Sequence, residues 1–156
     1  MTASLATIGY EGTTIQQLTA TLVQAQVAML LDVRAIPLSR KPGFSKRQLA
    51  AAMQAAGIRY VGLRGLGTPR AGRDAARHGN TTRMRAIFAE HMASDPAQAD
   101  LAHARALAAD SPCCLLCFER DPERCHRLPV AQAIGGAVRH LYCEPLAPSS
   151  LPEPAA

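Results

Sequence analysis

The chain has 156 residues, a length that is typical of one domain and sufficient to bury a hydrophobic core without disulfides or a structural metal. Hydrophobic residues make up 48% of the sequence, and no apolar run approaches the roughly 18 residues of a membrane-spanning helix, so we expect no membrane association. The formal net charge is +5, which favours a partner that carries negative charge.

The positive charge is concentrated in one part of the chain. No acidic residue occurs between Asp32 and Asp74. The same stretch contains nine cations: Arg34, Arg40, Lys41, Lys46, Arg47, Arg59, Arg64, Arg70 and Arg73. A segment of one sign favours binding of phosphate, a nucleotide or nucleic acid. The alternative is a surface whose charge only keeps the protein in solution.

Cysteine usage and the N-terminal residues indicate a reducing compartment. The number of cysteines is odd, and four of the five lie between 113 and 125, which does not fit a disulfide framework. The first residues, MTASLATIGYEG, lack the charged segment and long apolar stretch of a secretory signal. We therefore expect a cytoplasmic protein.

The first predicted elements are a strand, a helix and a second strand. The apolar run LATIGY (5–10) predicts the first strand. Thr13 and Gln16 then fit a capping box, in which a hydroxyl and an amide satisfy two backbone groups at the start of a helix. VAMLLDV (27–33) predicts a strand that is covered on both faces.

A second helix, a third strand and a loop follow. Ser45 and Gln48 form another capping-box pattern, and Gly57 is placed to end that helix. IRYVGL (58–63) predicts the third strand. The segment 64–80, RGLGTPRAGRDAARHGN, is too rich in glycine and arginine for a core element, and we predict a mobile flap or a disordered loop.

Two helices precede the fourth strand. Apolar residues recur with helical spacing over about 81–93. Asp95 and Pro96 fit the cap and the first residue of the next helix, which we expect to end near Asp110. The run CCLLCFE (113–119) predicts the fourth strand.

The segment after the fourth strand predicts a helix that begins with reactive side chains. Asp121 and Pro122 fit its cap and first residue, so Cys125 and His126 would occupy its first turns. Unpaired backbone N–H groups and the helix dipole lower the pKa of a thiol in that position. Pro129 has no N–H group to donate, and we expect it to kink the helix or delay its start.

The alternation of apolar strands with helices predicts the fold class. VRHLYC (138–143) is the fifth strand, and a proline-rich tail follows at 147–156. Strands that are apolar throughout are typical of a parallel sheet with both faces covered. We predict a single α/β domain over 1–146 with three layers: a mostly parallel sheet of about five strands and helices on both faces.

Polar and reactive side chains follow the predicted strands. In an open α/β sheet, ligands bind outside the carboxyl ends of the strands. The candidate residues in these positions are Tyr10, Glu11, Asp32, Arg34, Arg64, Cys117, Glu119, Cys125, His126 and Arg127. We expect Asp32 or Glu119 to move protons, with His126 assisting. The alternative for Asp32 and Arg34 is a structural ion pair.

The cysteines permit three interpretations. Cys117, Cys125 and His126 have side chains that bind zinc, but strand alternation turns Cys114 away from Cys117, and no second C-x-x-C pair exists. We therefore assign no metal site at this stage. A redox pair or nucleophile built from Cys117 and Cys125 is the second interpretation. In the third, Cys113, Cys114 and Cys117 are small core residues.

Four motifs spaced along the chain resemble one family. TIGYEG, LLDVRAIPLSRKPGFSKRQL, YVGLRGLGTPR and LLCFERDPERCHR together are similar to the domain-of-unknown-function 488 family, from about Thr7 to Leu146. The resemblance places the family's motif residues on Gly9, Tyr10, Gly12, Asp32, Arg34, Pro37, Ser39, Cys117, Glu119, Cys125, His126 and Arg127. It implies where the site lies and names no activity.

The segment LLDVR is also similar to a strand end in rhodanese domains. A rhodanese carries a cysteine that opens a six-residue loop, and the backbone N–H groups of that loop hold an anion. Cys117 instead leads into an acidic turn that contains Pro122. We therefore rank sulfur transfer low.

These observations predict an enzyme with an anion-binding pocket and identify no cofactor. Arg34, Arg64 and Arg127 would hold anionic oxygens of a small molecule or nucleic acid, and Tyr10 would stack on the ligand or hydrogen-bond it. The alternatives are a non-catalytic module that binds nucleic acid or protein, and a metal-binding or thiol-redox protein. The aromatic content of 4% weakens the case for single-strand recognition.

Overall fold

The computed structural model describes residues 5–143, which contain five strands. The strands are β1 (Leu5–Gly9), β2 (Met29–Asp32), β3 (Arg59–Gly62), β4 (Cys113–Cys117) and β5 (Val138–Leu141). They form one sheet in the order β3-β2-β4-β1-β5, and every neighbouring pair is parallel. The predicted parallel α/β sheet is confirmed.

Six α-helices connect or follow these strands in the described part of the chain. They are α1 (Ile15–Gln24), α2 (Lys46–Ala55), α3 (Arg70–Arg77), α4 (Thr81–Met92), α5 (Asp95–Asp110) and α6 (Arg127–Ile134). Short 3₁₀ turns span Arg64–Leu66 and Pro122–Arg124. The predicted bounds of α4 and α5 agree with these ranges to within a residue.

Helices cover both faces of the sheet, which gives the three predicted layers. On one face, α1 and α2 place Leu18 and Leu49 in a buried cluster with Leu30 and Leu116 of the sheet. On the other face, α4, α5 and α6 pack against β2 and β4 in a second cluster that contains Phe88, Leu101, Val130, Leu31 and Leu115. Every residue of β1, β2 and β4 is buried, as expected for strands that are apolar throughout.

The ends of the first two helices differ in detail from the predicted caps. The capping box of α1 is formed by Thr14 and Gln17, one residue later than expected. Ser45 precedes α2, but its hydroxyl donates to the carbonyl of Ser39 and accepts from the Ser39 N–H instead of capping the helix. Ser45 therefore fastens the loop before α2.

The segment 64–80 contains regular structure, so the prediction of a loop there is wrong. It holds one 3₁₀ turn and α3. Gly65 donates its N–H to the Asp100 carboxylate at 2.7 Å, and a Cβ at Gly65 would lie 2.6 Å from the Pro96 carbonyl oxygen. This glycine permits a close approach to α5 and is not a sign of flexibility.

Two further expectations concern the whole chain. Within residues 5–143, no helix combines the length and apolar character that crossing a bilayer requires. The predicted tail at 147–156 and the predicted domain boundary at 146 lie outside the described residues.

Candidate functional site

The carboxyl ends of three neighbouring strands meet at one edge of the sheet. β4 lies between β2 and β1, so the residues that follow these strands come together. Backbone hydrogen bonds continue the pairing past the strands, from Val33 N–H to Leu116 O and from Tyr10 N–H to Cys117 O, both at 3.2 Å. The three chain segments therefore leave the sheet side by side.

A pocket of about 700 Å³ opens at this edge. Six of the residues predicted for the site line it: Tyr10, Glu11, Arg34, Cys117, Glu119 and His126. The helices α3 and α4 also line it, through Arg73, Arg77 and Met84. The pocket thus contains groups from four separate parts of the sequence.

Asp32 and Arg34 form a buried ion pair beneath the pocket. Arg34 Nε and Nη2 donate to the two carboxylate oxygens of Asp32 at 2.8 and 2.7 Å, and both side chains are at most 5% exposed. Arg34 Nη1 also donates to the Phe44 carbonyl and to the Tyr10 hydroxyl. The Tyr60 hydroxyl completes the pair by donating to Asp32 at 2.5 Å.

This arrangement leaves Arg34 little capacity to bind a ligand. Four of the five N–H groups of its guanidinium are used within the protein. Although burial by itself lowers the pKa of Arg34, the hydrogen bond and charge of Asp32 raise it. Burial and the hydrogen bond to Asp32 raise the pKa of Tyr60. The geometry matches the structural ion pair that the sequence left as an alternative.

Three aromatic rings pack together at the edge of the pocket, and two of them, Tyr10 and Phe118, line it. Tyr10 stacks on Phe44 with centroids 4.5 Å apart and meets Phe118 edge to face at 5.3 Å. Tyr10 is only 4% exposed, whereas Phe118 is 45% exposed. Phe118 is therefore the ring that a ligand can reach most easily.

Two thiols, an imidazole and a carboxylate cluster at the base of the pocket. His126 Nδ1 lies 3.5 Å from Cys117 Sγ and 3.8 Å from Cys125 Sγ. The Nε2–H group of His126 donates to the Val33 carbonyl at 2.7 Å, because a carbonyl oxygen can only accept. Glu119 Oε2 lies 3.6 Å from Cys117 Sγ. The sulfurs and the imidazole thus face one another inside the protein.

The surroundings favour ionisation of Cys125 over Cys117. Burial by itself would raise the pKa of Cys125, but a hydrogen bond from Cys117 and the charges of His126 and Arg127 lower it well below its usual value. The same hydrogen bond and burial raise the pKa of Cys117. For His126, burial lowers the pKa, yet the Cys125 thiolate raises it overall. Burial, followed by the charge of Cys125, raises the pKa of Glu119 to about 7.

Cys125 and His126 precede the helix, so the prediction that both lie in its first turns is wrong. Asp121 caps only the 3₁₀ turn Pro122–Arg124, and Cys125 has extended backbone, with φ −123° and ψ 151°. α6 begins at Arg127, which puts Pro129 in its first turn, where a missing N–H costs no helical hydrogen bond. The delayed start is one of the two effects expected of Pro129.

A family comparison agrees with the motifs in this site. The family model described as "Domain of unknown function DUF488" matches residues 14–134, which is most of the chain. The chain belongs to the DUF488 family. The resemblance stated from the sequence is therefore confirmed. The matched range contains the reactive cluster, whereas Tyr10 and Glu11 precede it. No curated protein and no solved structure was found to match the chain.

Three residues predicted for the site of this DUF488 protein use their side chains in hydrogen bonds within the protein. Arg127 is fully buried, and its guanidinium donates to the carbonyls of Glu119 and Arg120. Arg64 is exposed, donates to the Ala35 carbonyl at 3.0 Å, and does not line the pocket. Glu11 lines the pocket but accepts from the Arg120 N–H.

Three cations that were not among the predicted site residues also line the pocket. Arg73, Arg77 and Arg124 line it, and the exposed guanidinium of Arg124 makes no hydrogen bond or ion pair within residues 5–143. Arg73 belongs to the acid-free stretch, so its charge was a visible signal. The position of Arg73 beside the pocket could not be predicted, because it depends on how α3 packs against the rest of the domain.

Proposed function

We propose that this DUF488 protein is an enzyme that acts on an anionic organic substrate in the pocket at the carboxyl ends of β1, β2 and β4. The observation that carries the proposal is the convergence of a carboxylate, a thiol and an imidazole with three arginines around one cavity of about 700 Å³, with the buried Cys125 thiol next to them. Such a volume suits a small-molecule substrate. We also propose a cytoplasmic location, which suits five free cysteines.

The anionic part of the substrate would be bound by an arginine wall, which consists of Arg73, Arg77 and Arg124. Arg124 has no competing partner among the described residues, and Arg77 makes only an exposed ion pair of 3.5 Å with Asp74. Arg73 uses one guanidinium nitrogen on the Thr68 carbonyl. Arginine suits this role because its planar guanidinium donates two parallel hydrogen bonds to phosphate or carboxylate oxygens.

The apolar wall would bind an uncharged part of the same substrate. Ile36, Leu38 and Phe118 line the pocket and are 47%, 70% and 45% exposed. Large apolar side chains that remain exposed in a pocket often contact a ligand. A nucleotide or another phosphorylated organic molecule fits both walls better than inorganic phosphate, which would leave the apolar wall in water.

Glu119 would supply the proton transfer. Its carboxylate lines the pocket beside Cys117 and His126, so it is the acidic group closest to the reactive cluster. Asp32 does not line the pocket and is held by Arg34 and Tyr60, which makes it a poor candidate for the same role. Of the two carboxylates predicted to move protons, Asp32 and Glu119, we therefore retain only Glu119 as the general acid or base.

A panel of nucleotides and phosphorylated metabolites, followed by ³¹P nuclear magnetic resonance, tests the proposal without assuming a reaction. We expect one class of compound to be converted. Glu119→Gln should lower turnover by about 100-fold or more while binding changes little, because proton transfer contributes about that much. Arg124→Ala should weaken binding by about 10- to 100-fold, since a hydrogen bond to a charged group contributes about 1.5–3 kcal/mol.

Arg47→Ala is the matched control, because Arg47 lies on α2 and does not line the pocket. It should bind and react like the unaltered protein. If the ligand binds in a salt-sensitive way, no compound is converted, and Glu119→Gln leaves binding unchanged, the protein is a non-catalytic binding module and not an enzyme.

A further inference from the structure

We infer that Cys117, Cys125 and His126 form a binding site for a single zinc ion at the base of the pocket. The ligand atoms of these three buried residues all lie within 4.8 Å of one another. Two thiolates and an imidazole are a donor set that favours Zn²⁺ over the hard cations Ca²⁺ and Mg²⁺. The site goes beyond the proposed enzyme, because metal binding does not depend on any substrate.

The spacing of the ligand atoms agrees with tetrahedral zinc. Bond lengths of about 2.3 Å to sulfur and 2.0–2.1 Å to nitrogen place a sulfur and a nitrogen ligand about 3.6 Å apart. The two sulfur–nitrogen distances in the structure are 3.5 and 3.8 Å. The two sulfur–nitrogen distances therefore suit a zinc ion bound by Nδ1 and both sulfurs.

The imidazole of His126 is already oriented as a metal ligand. Its Nε2–H group donates to the Val33 carbonyl at 2.7 Å, which leaves Nδ1 facing both sulfurs. Histidines that bind metals commonly donate their other ring N–H to a carbonyl or carboxylate, which fixes the ring. The Phe88 ring, 5.3 Å away, packs against the imidazole and restricts it further. This orientation is a second observation that points to a metal.

The chain geometry explains why three ligands meet and a fourth cysteine does not. Cys117 is the last residue of β4, and Cys125 with His126 returns to it through the turn before α6. Cys114 belongs to the cluster on the other face of the sheet, as strand alternation predicts. The absence of a second C-x-x-C pair is therefore no obstacle, since the third ligand comes from a histidine.

A site with three protein ligands has a definite chemical consequence. Structural zinc sites use four protein ligands, whereas catalytic sites use three and leave one position for water or substrate. Cys117 and His126 line the pocket, so that position would adjoin the pocket and the Glu119 carboxylate. The ligand set thus indicates a catalytic type of zinc site.

Direct metal measurements on the full-length chain, reduced and loaded with Zn²⁺ or Co²⁺, test this inference. We expect one Zn²⁺ per chain, and the Co²⁺ form should show thiolate charge-transfer absorption with intense tetrahedral bands. X-ray absorption of the unaltered zinc protein should report two sulfur ligands and at least one imidazole nitrogen. This measurement does not depend on any variant folding correctly.

Two cysteine variants provide a matched comparison, since both residues are fully or almost fully buried. Cys125→Ala should lower zinc affinity by about 100-fold or more, whereas Cys114→Ala should not change it. Glu119→Gln should keep the metal while it loses turnover, which separates failure of the zinc site from failure of the proposed enzyme. Less than a tenth of an equivalent of zinc in reduced protein, or a Cys117–Cys125 disulfide in the protein as isolated, would overturn the inference.

Discussion

Replacement of Arg34 by methionine is expected to lower the free energy of unfolding by about 3–5 kcal/mol. The variant leaves the Asp32 carboxylate buried, with the Tyr60 hydroxyl and the Arg34 backbone N–H as its remaining donors. It also removes the hydrogen bonds to the Phe44 carbonyl and the Tyr10 hydroxyl. Equilibrium unfolding in urea measures the difference.

A matched control uses the exposed pair of Arg77 and Asp74, whose side chains are 75% and 51% exposed. Arg77→Met should change stability by less than about 1 kcal/mol, because exposed ion pairs contribute little. The double variant Asp32→Asn with Arg34→Met should be more stable than Arg34→Met alone, since it removes the unpaired charge. If Arg34→Met lowers the free energy of unfolding no more than Arg77→Met does, the ion pair of Arg34 is not structural, and Arg34 becomes available to a ligand.

Replacement of Gly9 by alanine is expected to destabilise the protein by about 3 kcal/mol or more. A Cβ at this position would lie 1.8 Å from the Glu119 carbonyl oxygen and 2.9 Å from the Arg120 backbone nitrogen. Both atoms are backbone, so no rotation of a side chain relieves the contact. The methyl group would push away the turn that carries Glu119, and zinc affinity should fall with stability.

Gly62→Ala is the control for this variant. Gly62 ends β3 as Gly9 ends β1, and the nearest atom to its added Cβ belongs to the Tyr60 side chain at 3.8 Å. We expect a change within about 0.5 kcal/mol. Thermal unfolding measures the melting temperatures of both variants. Equal melting temperatures would contradict the close packing of Gly9 against the turn that carries Glu119.

The sequence predicted the sheet well because buried parallel strands have a strong signature. Period-two alternation predicts that neighbouring residues of β4 point to opposite faces, and the structure places Leu115 and Leu116 in clusters on opposite faces. The prediction for segment 64–80 was wrong because its sequence has no such clear signature. Gly65 and Gly72 resembled loop signals, but their added Cβ atoms would lie 2.6 Å from Pro96 O and 2.4 Å from Thr68 Cγ2. Glycine marks close packing as well as flexibility, and local sequence does not distinguish the two.

The positions of the candidate site residues were predictable, whereas the partners of each side chain were not. Residues after strands must meet at one edge, which explains why Cys117, Glu119 and His126 were found together. Arg127 was expected in the pocket because of its charge, yet its guanidinium holds the carbonyls of a turn. Such contacts depend on the folded path of the chain, which composition and periodicity do not encode.

A crystal structure of the zinc-loaded protein, grown with inorganic phosphate, tests the zinc site and the anion pocket together. We expect one zinc ion held by Cys117, Cys125 and His126, and a phosphate ion in the same pocket on the arginines of α3 or on Arg124. Glu119 should lie between the two ions. A structure in which the cysteines and histidine lie on a different surface from these arginines would contradict the convergence on which every proposal here depends.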